Sequence, residues 1–308
     1  MRNWPAYNRG LKQRGSLTVW CSTDLADGWY YQGPNKRGAQ YTFSDVAIQT
    51  VLTLGMIYHL LLRQAEGFTD SVLALMGLAL RVPDYSTLSR RQADQAGSLP
   101  QPPPCGPIHL VVDATGLKVY GEGEWQVRQH GVHQRRTWRK VHLGVDEATG
   151  QIVAQPLTTA GVDDGPQVSP LLAQVQAPIE AVGGDGAYDQ RKVFDALAAS
   201  EPPIQPIIPP RTNAKIQQHG NTKAQPLPRD ETLRAIRRQG RRTWKKTSGY
   251  HRRSIVETHI GRYKKILGDT LRARTLANQQ TETRLGCALL NRMLQLAKPE
   301  SYPITQKD

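Results

Sequence analysis

The first long apolar run begins at Val46, behind a Ser44-Asp45 pair suited to N-capping, and continues to Leu62 with Gln49, Thr50, Thr53 and His59 interrupting it. The pattern predicts a core helix, because the interruptions leave it short of the roughly 18 clean apolar residues of a membrane span. Upstream, residues 1–43 mix Tyr, Trp, Gly and Arg without a clear period and are expected to be extended and loop-rich. They also lack the apolar core of a signal peptide. Downstream, a second apolar run covers 71–80, Val82-Pro83-Asp84 breaks it, and Ser86 is placed to cap a short helix with Arg90 and Arg91 pointing outward. Helix, turn and short basic helix is the outline of a helix-turn-helix DNA reader, and equally of any small helical bundle. Pro100, Pro102, Pro103 and Pro104 exclude a regular element over 97–107, which reads as a linker.

Beyond the linker the period changes. Residues 109–120 make a buried-strand pattern with Asp113 in its middle, 139–145 a second strand, Asp146-Glu-Ala-Thr-Gly150 a turn, and 151–158 a third strand, together an antiparallel meander. Asp163-Asp164 are expected to cap a helix reaching Val175, 180–185 to be a fourth strand ending on Asp185, Asp189 to cap a helix over 190–199, and 204–208 to be a fifth strand. After a loop-like stretch to about Arg229 the chain turns helical. On a helix of about 100° per residue, Tyr250, Arg253, Glu257 and Lys264 share an arc of about 60°, beside an apolar stripe of Ile255, Val256, Ile260 and Tyr263. The plain alternative is a solvated helix with internal ion pairs. More helix is expected over 271–296 and a frayed tail over 299–308. The fold class that follows is mixed α/β: a mixed five-stranded sheet with flanking helices over 108–298, preceded by an all-α, helix-turn-helix-like region over 1–96.

Charge sharpens this outline. The 308 residues carry 40 Lys and Arg against 26 Asp and Glu. Residues 211–274 alone hold 18 of the cations and four of the acids, which accounts for the whole excess. Such a block is a footprint for a polyanion, nucleic acid first, against the plainer reading of a solubilising linker over about 211–248. Within it Lys245 and Lys246 are candidate DNA contacts, and Trp244 is either a base-stacking residue or ordinary packing. Cys21, Cys105 and Cys287 are single and far apart, which argues against a disulfide framework and fits a reducing cytosol. His130, His133 and His142 with Cys105 match no zinc spacing. Gly183, Gly184 and Gly186 would let backbone approach a metal or DNA.

An aspartate inside Leu-Val-Val-Asp-Ala-Thr requires a neutralising partner. If the first and fourth strands are neighbours, Asp113, Asp185 and Glu257 meet at one end of the sheet. Hard oxygen ligands suit Mg²⁺, and a pair of such ions is the usual device of phosphoryl transfer.

Asp113 in Val-Val-Asp-Ala-Thr-Gly-Leu-Lys, Asp185 in Gly-Asp-Gly-Ala-Tyr-Asp, and the spacing Tyr250-(2)-Arg253-(3)-Glu257-(6)-Lys264 resemble the three catalytic blocks of DDE transposases of the IS4/IS5 insertion-sequence group, most like the IS5 family. Ser44-Asp-Val-Ala-Ile, Arg63-Gln-Ala-Glu-Gly-Phe and Pro83-Asp-Tyr-Ser-Thr-Leu-Ser-Arg-Arg are similar to that family as well, so the resemblance runs from about Trp4 to Leu296. It implies an RNase H-like catalytic domain that cleaves DNA at terminal inverted repeats and joins the freed 3′-hydroxyls to target DNA. By the same resemblance Asp113, Asp185 and Glu257 are catalytic ligands of two Mg²⁺ ions, with Mn²⁺ substituting. Arg253 and Lys264 are phosphate contacts and Tyr250 a DNA-end contact. The implied partner is double-stranded DNA, the implied assembly at least a dimer, and the implied compartment the cytoplasm of a prokaryote. Between Asp185 and Glu257 lie 71 residues, little room for the large β insertion of some relatives. The rivals are a transposase-derived DNA-binding regulator that does not cut, and another RNase H-like nuclease or integrase sharing only the carboxylates.

Overall fold

The computed structural model describes residues 2–21, 23–34, 37–38, 40–95, 99–101, 106–119, 138–218 and 226–300. Packing divides the chain into two units, 98–274 and 1–97 together with 275–308.

The helical unit starts earlier than its sequence pattern suggests. Helices α1 (Trp4–Gln13) and α2 (Leu17–Trp20) occupy the stretch expected to be loop-rich. The cause of α1 lies almost 300 residues away. The backbone at Gly10 approaches the C-terminal helix Leu276–Leu296 so closely that a Cβ there would meet the Leu296 carbonyl at 2.3 Å. Arg14 donates to the carbonyls of Met293 (3.2 Å) and Ala297 (2.9 Å). Helix α3 (Asp45–Ile57) has the expected cap, the Ser44 hydroxyl accepting from the Ala47 N–H at 3.2 Å. It stops at Ile57 rather than Leu62, where His59 takes a positive φ of 56° and the chain bends by 106° into α4 (Leu62–Leu75). In α5 (Tyr85–Arg91) the cap is Asp84 rather than Ser86: its carboxylate accepts from the N–H groups of Ser86 (2.9 Å) and Thr87 (3.0 Å). Ile48, Val51, Val72, Leu73, Leu88 and Leu285 form the core. Leu285 belongs to the C-terminal helix, so this helix, expected in the catalytic domain to 298, completes the N-terminal unit instead. It begins at Leu276, capped by Thr275, and not at Leu271.

The other unit is built outward from β1 (Ile108–Val119), which pairs antiparallel with β2 (Trp138–Asp146) in a register opposing Asp113 to Leu143. The expected third strand is two short ones, β3 (Ile152–Ala154) and β4 (Leu157–Thr159), both on β2. Pro156 separates them, because it has no N–H for the ladder while its carbonyl accepts from the His142 N–H at 2.9 Å. On its other side β1 pairs in parallel with β5 (Ile179–Gly183), which pairs in parallel with β6 (Gln205–Ile207). The order β3-β2-β1-β5-β6, with β7 (Thr270–Leu271) added to the end of β1, is a meander continued by parallel crossovers. That is the mixed sheet of an RNase H-like domain.

One face of the sheet is covered by α6 (Val168–Leu172) and α7 (Arg191–Ala198), where Leu110, Val112 and Val182 pack with Val168, Leu171, Val193, Phe194 and Leu197. Burying each such side chain stabilises the fold by about 1.5–3 kcal/mol. Alternation sends Val111 and Asp113 to the opposite face. After β6 come α8 (Pro228–Gln239) and α9 (Arg241–Thr247), broken at Gly240 with φ 82°. A 3₁₀ turn over Tyr250–Arg253 then leads into α10 (Ser254–Ile266), which packs on β1 and β2. The single helix expected over 250–264 thus begins with a tighter turn. Residues 102–105 of the expected linker, 219–225 of the basic stretch and 301–308 of the expected tail lie outside the described residues, as do Cys105, Tyr120, His130 and His133. Among the described residues no single helix is long and apolar enough to cross a membrane.

Candidate active site

Parallel pairing of β1 with β5 decides where the acids go. Val111 stands opposite Gly183, so the two strands reach Asp113 and Asp185 in step. Asp113 lies partly buried within β1, with one carboxylate oxygen accepting from the Ala114 N–H at 2.8 Å. Asp185 has left the strand by two residues and caps a 3₁₀ turn through the Ala187 N–H, also at 2.8 Å. Glu257 lies in the first turn of α10 and is ion-paired with Arg253. Burial is the main reason that the Asp113 carboxyl is pushed above the usual aspartate range; the charges of Asp185 and Glu257 add to it, while the Ala114 N–H and Arg253 oppose it. The three acids therefore share one electrostatic neighbourhood, as the strand order required.

Tyr250 faces the same neighbourhood. Burial raises its hydroxyl most, Arg253 opposes that, and Asp185, Glu257 and Asp113 reinforce it. Its ring has the Arg253 guanidinium 5.6 Å from the centroid and the Lys245 ammonium at 4.8 Å. Lys264 is exposed on α10, about 10 Å along the axis from Glu257. Lys246 is exposed as well. Trp244 is buried and lies 6.2 Å from the Tyr250 ring, which is the packing role.

In the other unit the two arginines of α5 part company. Arg90 is exposed. Arg91 is not an outward DNA contact: it is buried, paired with Asp45 at 2.6 Å, donating to the Phe43 carbonyl at 3.0 Å and stacked on Tyr41 at 3.7 Å. A cation facing the helical core is held there by acceptors at the start of α3 and just before it, which its own segment does not reveal.

Several residues around the site carry more structure than their local sequence suggested. Asp189 does not cap α7; its fully buried carboxylate holds Arg229 at 2.6 and 3.1 Å and accepts from the Arg211 N–H at 2.8 Å. Arg211 in turn donates to the Gly186 carbonyl at 3.3 Å, so this network braces the turn that Asp185 caps. Asp164 likewise caps nothing and pairs with Lys140 at 3.1 Å, beside buried His142 at 3.5 Å. Arg252 pairs with Glu147 at 2.6 Å, and His109 sits between Glu147 and Glu180. Asp146 is the turn residue expected, accepting from the Ala148 and Thr149 N–H groups. The signal available in sequence was the surplus of cations after residue 210, whose partners had to be acids elsewhere in the chain.

Among the described residues no three His, Cys, Asp or Glu side chains are drawn together as a ready metal cage. The donor set nonetheless fits a hard divalent cation. All three are carboxylates: burial raises Asp113 most, the charges of Asp185 and Glu257 add to that, and Arg253 opposes it.

Two family models, both described as "Transposase DDE domain", match residues 12–122 and 104–292. The second alone spans more than half of the chain, and the protein belongs to the DDE transposase family. Among solved structures, the piggyBac transposase synaptic complex with hairpin DNA is similar at a TM-score of 0.38 and 10% identity, covering 92% of this chain and 74% of that one.

Proposed function

We propose that this transposase belongs to the IS4/IS5 insertion-sequence group, most like the IS5 family. In this reading it cleaves DNA at the terminal inverted repeats of its element and joins the 3′-hydroxyl ends to target DNA. The observation that supports the reading is that Asp113, at the β1–β5 pair, feels the charges of Asp185, Glu257 and Arg253, and that Tyr250 feels the same four groups. Asp113, Asp185 and Glu257 would hold two Mg²⁺ ions, or Mn²⁺ in their place. Bound there, the metal supplies Lewis-acid stabilisation of the attacking and departing oxygens.

The chain's own groups do the rest. Asp113 is fixed by a mid-strand backbone and Asp185 by its capping bond, so neither carboxylate is reorganised during the reaction. Arg253 and Lys264, on one helix and its preceding turn, bind successive phosphates of the DNA end. Tyr250 packs against the terminal nucleotides, and Lys245, Lys246 and Arg90 contact the backbone further out. Strand transfer exchanges one phosphodiester for another, so positioning and charge neutralisation suffice and no nucleotide cofactor enters. Two ends must be paired, which calls for at least a dimer.

The DNA on either side of the reading frame tests the element assignment: imperfect inverted repeats bounded by short direct repeats are expected. On such an end duplex, Asp185→Asn should abolish Mg²⁺-dependent cleavage while leaving binding within about threefold of wild type. Undiminished cleavage by that variant would remove the basis of the reading.

A further inference from the structure

We propose that Arg253 is the resident cation of the three-acid site, holding Glu257 until a DNA phosphate draws the guanidinium away, so that DNA binding and divalent-metal loading are coupled through this one side chain. The proposal rests on the reading of the site as a metal-dependent DNA-cleaving centre and concerns how that centre is regulated.

Three observations lead here. Arg253 ends the 3₁₀ turn and reaches forward one helical turn to ion-pair with Glu257, the acid supplied by α10. Its charge also reaches Asp113 on β1, and its guanidinium lies over the Tyr250 ring, so it stands among the acids and not on a separate face. Three other cations of this unit have acids of their own: Arg252 holds Glu147, Arg229 holds Asp189 and Lys140 holds Asp164, while Lys245 lies over the Tyr250 ring. Arg253 is therefore placed to satisfy this cluster.

The same carboxylate lone pairs cannot serve the guanidinium and a divalent ion equally. A metal on Glu257 would sit directly beside the positive charge of Arg253, and that like-charge repulsion opposes metal binding even though the Glu257 side chain is half exposed. A phosphate offers the guanidinium a bidentate anionic partner of better geometry than one glutamate oxygen. Moving Arg253 onto phosphate removes the repulsion and frees Glu257, so each ligand favours the state that the other needs. Linkage makes the effect reciprocal: the factor by which DNA tightens the metal equals the factor by which metal tightens DNA.

The test uses the full chain, Mn²⁺ as the metal and a short duplex of the element's end. Bound Mn²⁺ is read from loss of the free-ion electron paramagnetic resonance signal. Wild type should bind Mn²⁺ weakly alone and at least about tenfold more tightly with the duplex. Arg253→Gln should bind Mn²⁺ about tenfold more tightly than wild type without DNA, with the duplex effect largely gone. If Asp113→Asn abolishes Mn²⁺ binding but Arg253→Gln binds no more tightly than wild type, the coupling role is wrong and the metal site stands. If Asp113→Asn binds Mn²⁺ like wild type, the reading of the site itself fails. Should Arg253→Gln misfold, the wild-type reciprocal measurement decides: duplex affinity unchanged by saturating Mn²⁺ overturns the proposal.

Discussion

Asp189 and His142 show how much of the site's support lies in single buried side chains. The Asp189 carboxylate is wholly inside and Arg229 is mostly so. Replacing Asp189 with Asn keeps the shape but leaves Arg229 without its counter-charge, and the expected loss is about 3–5 kcal/mol, read as a lower urea midpoint. His142 is buried, and burial is the main cause of its pKa falling from the ordinary 6.5 to about 4, with Asp164 opposing and Lys140 assisting. The unfolded chain therefore takes up a proton at His142 between pH 6.5 and about 4 while the folded chain does not. Stability from this residue is complete above pH 6.5 and is lost as pH falls through that window, by up to about 3 kcal/mol. His142→Gln should flatten that part of the stability–pH profile, and an unaltered slope would contradict the burial argument. Neither role was legible locally. An Asp before a helix reads as a cap, and a His in a strand has no sequence mark for the carboxylate across from it.

At the scale of elements, legibility followed the range of the cause. The strands around Asp113 and Asp185 were readable because apolar runs, turn residues and a proline pair are local signals. The split of the third strand was written in Pro156 but masked by the apolar run on both sides of it. Helix α1 was missed because its docking partner is the far end of the chain. The Tyr250–Lys264 segment was read correctly as a helix carrying an acid among cations. Its first turn is 3₁₀, following Gly249 with φ 73°, so Tyr250 and Arg253 leave the ideal arc. Gly240 is the sharper case, since its φ of 82° and ψ of 148° are open essentially to glycine alone, with free space where a Cβ would be. Gly240→Ala is expected to cost about 1–3 kcal/mol through backbone strain only. Gly67→Ala, in the middle of α4 and equally unhindered, should instead stabilise by about 0.5–1 kcal/mol. Thermal melts of the two variants moving in the same direction would refute this distinction.

For the whole molecule, the charge distribution pointed to nucleic acid, but the structure changes what the basic block is. Arg229 and Arg252 are committed to Asp189 and Glu147, whereas Arg237, Arg238, Arg242, Lys246 and Lys264 remain exposed. Part of the excess charge is thus paired with acids and part is exposed surface, open to the DNA proposed as partner, a division that composition alone cannot make. The domain outline shifted in a similar way. The sheet lies where the strand pattern put it, while the C-terminal helix belongs to the N-terminal unit, where Leu285 fills the core.

The central claim is that Asp113, Asp185 and Glu257 form one metal-dependent cleavage site on an RNase H-like sheet. Its most direct test is cleavage of the element's own end duplex in Mg²⁺ by wild type and by Glu257→Gln, with binding measured on the same duplex. The account predicts cleavage by wild type, none detectable by the variant, and binding retained by both. Equal cleavage by Glu257→Gln would contradict it.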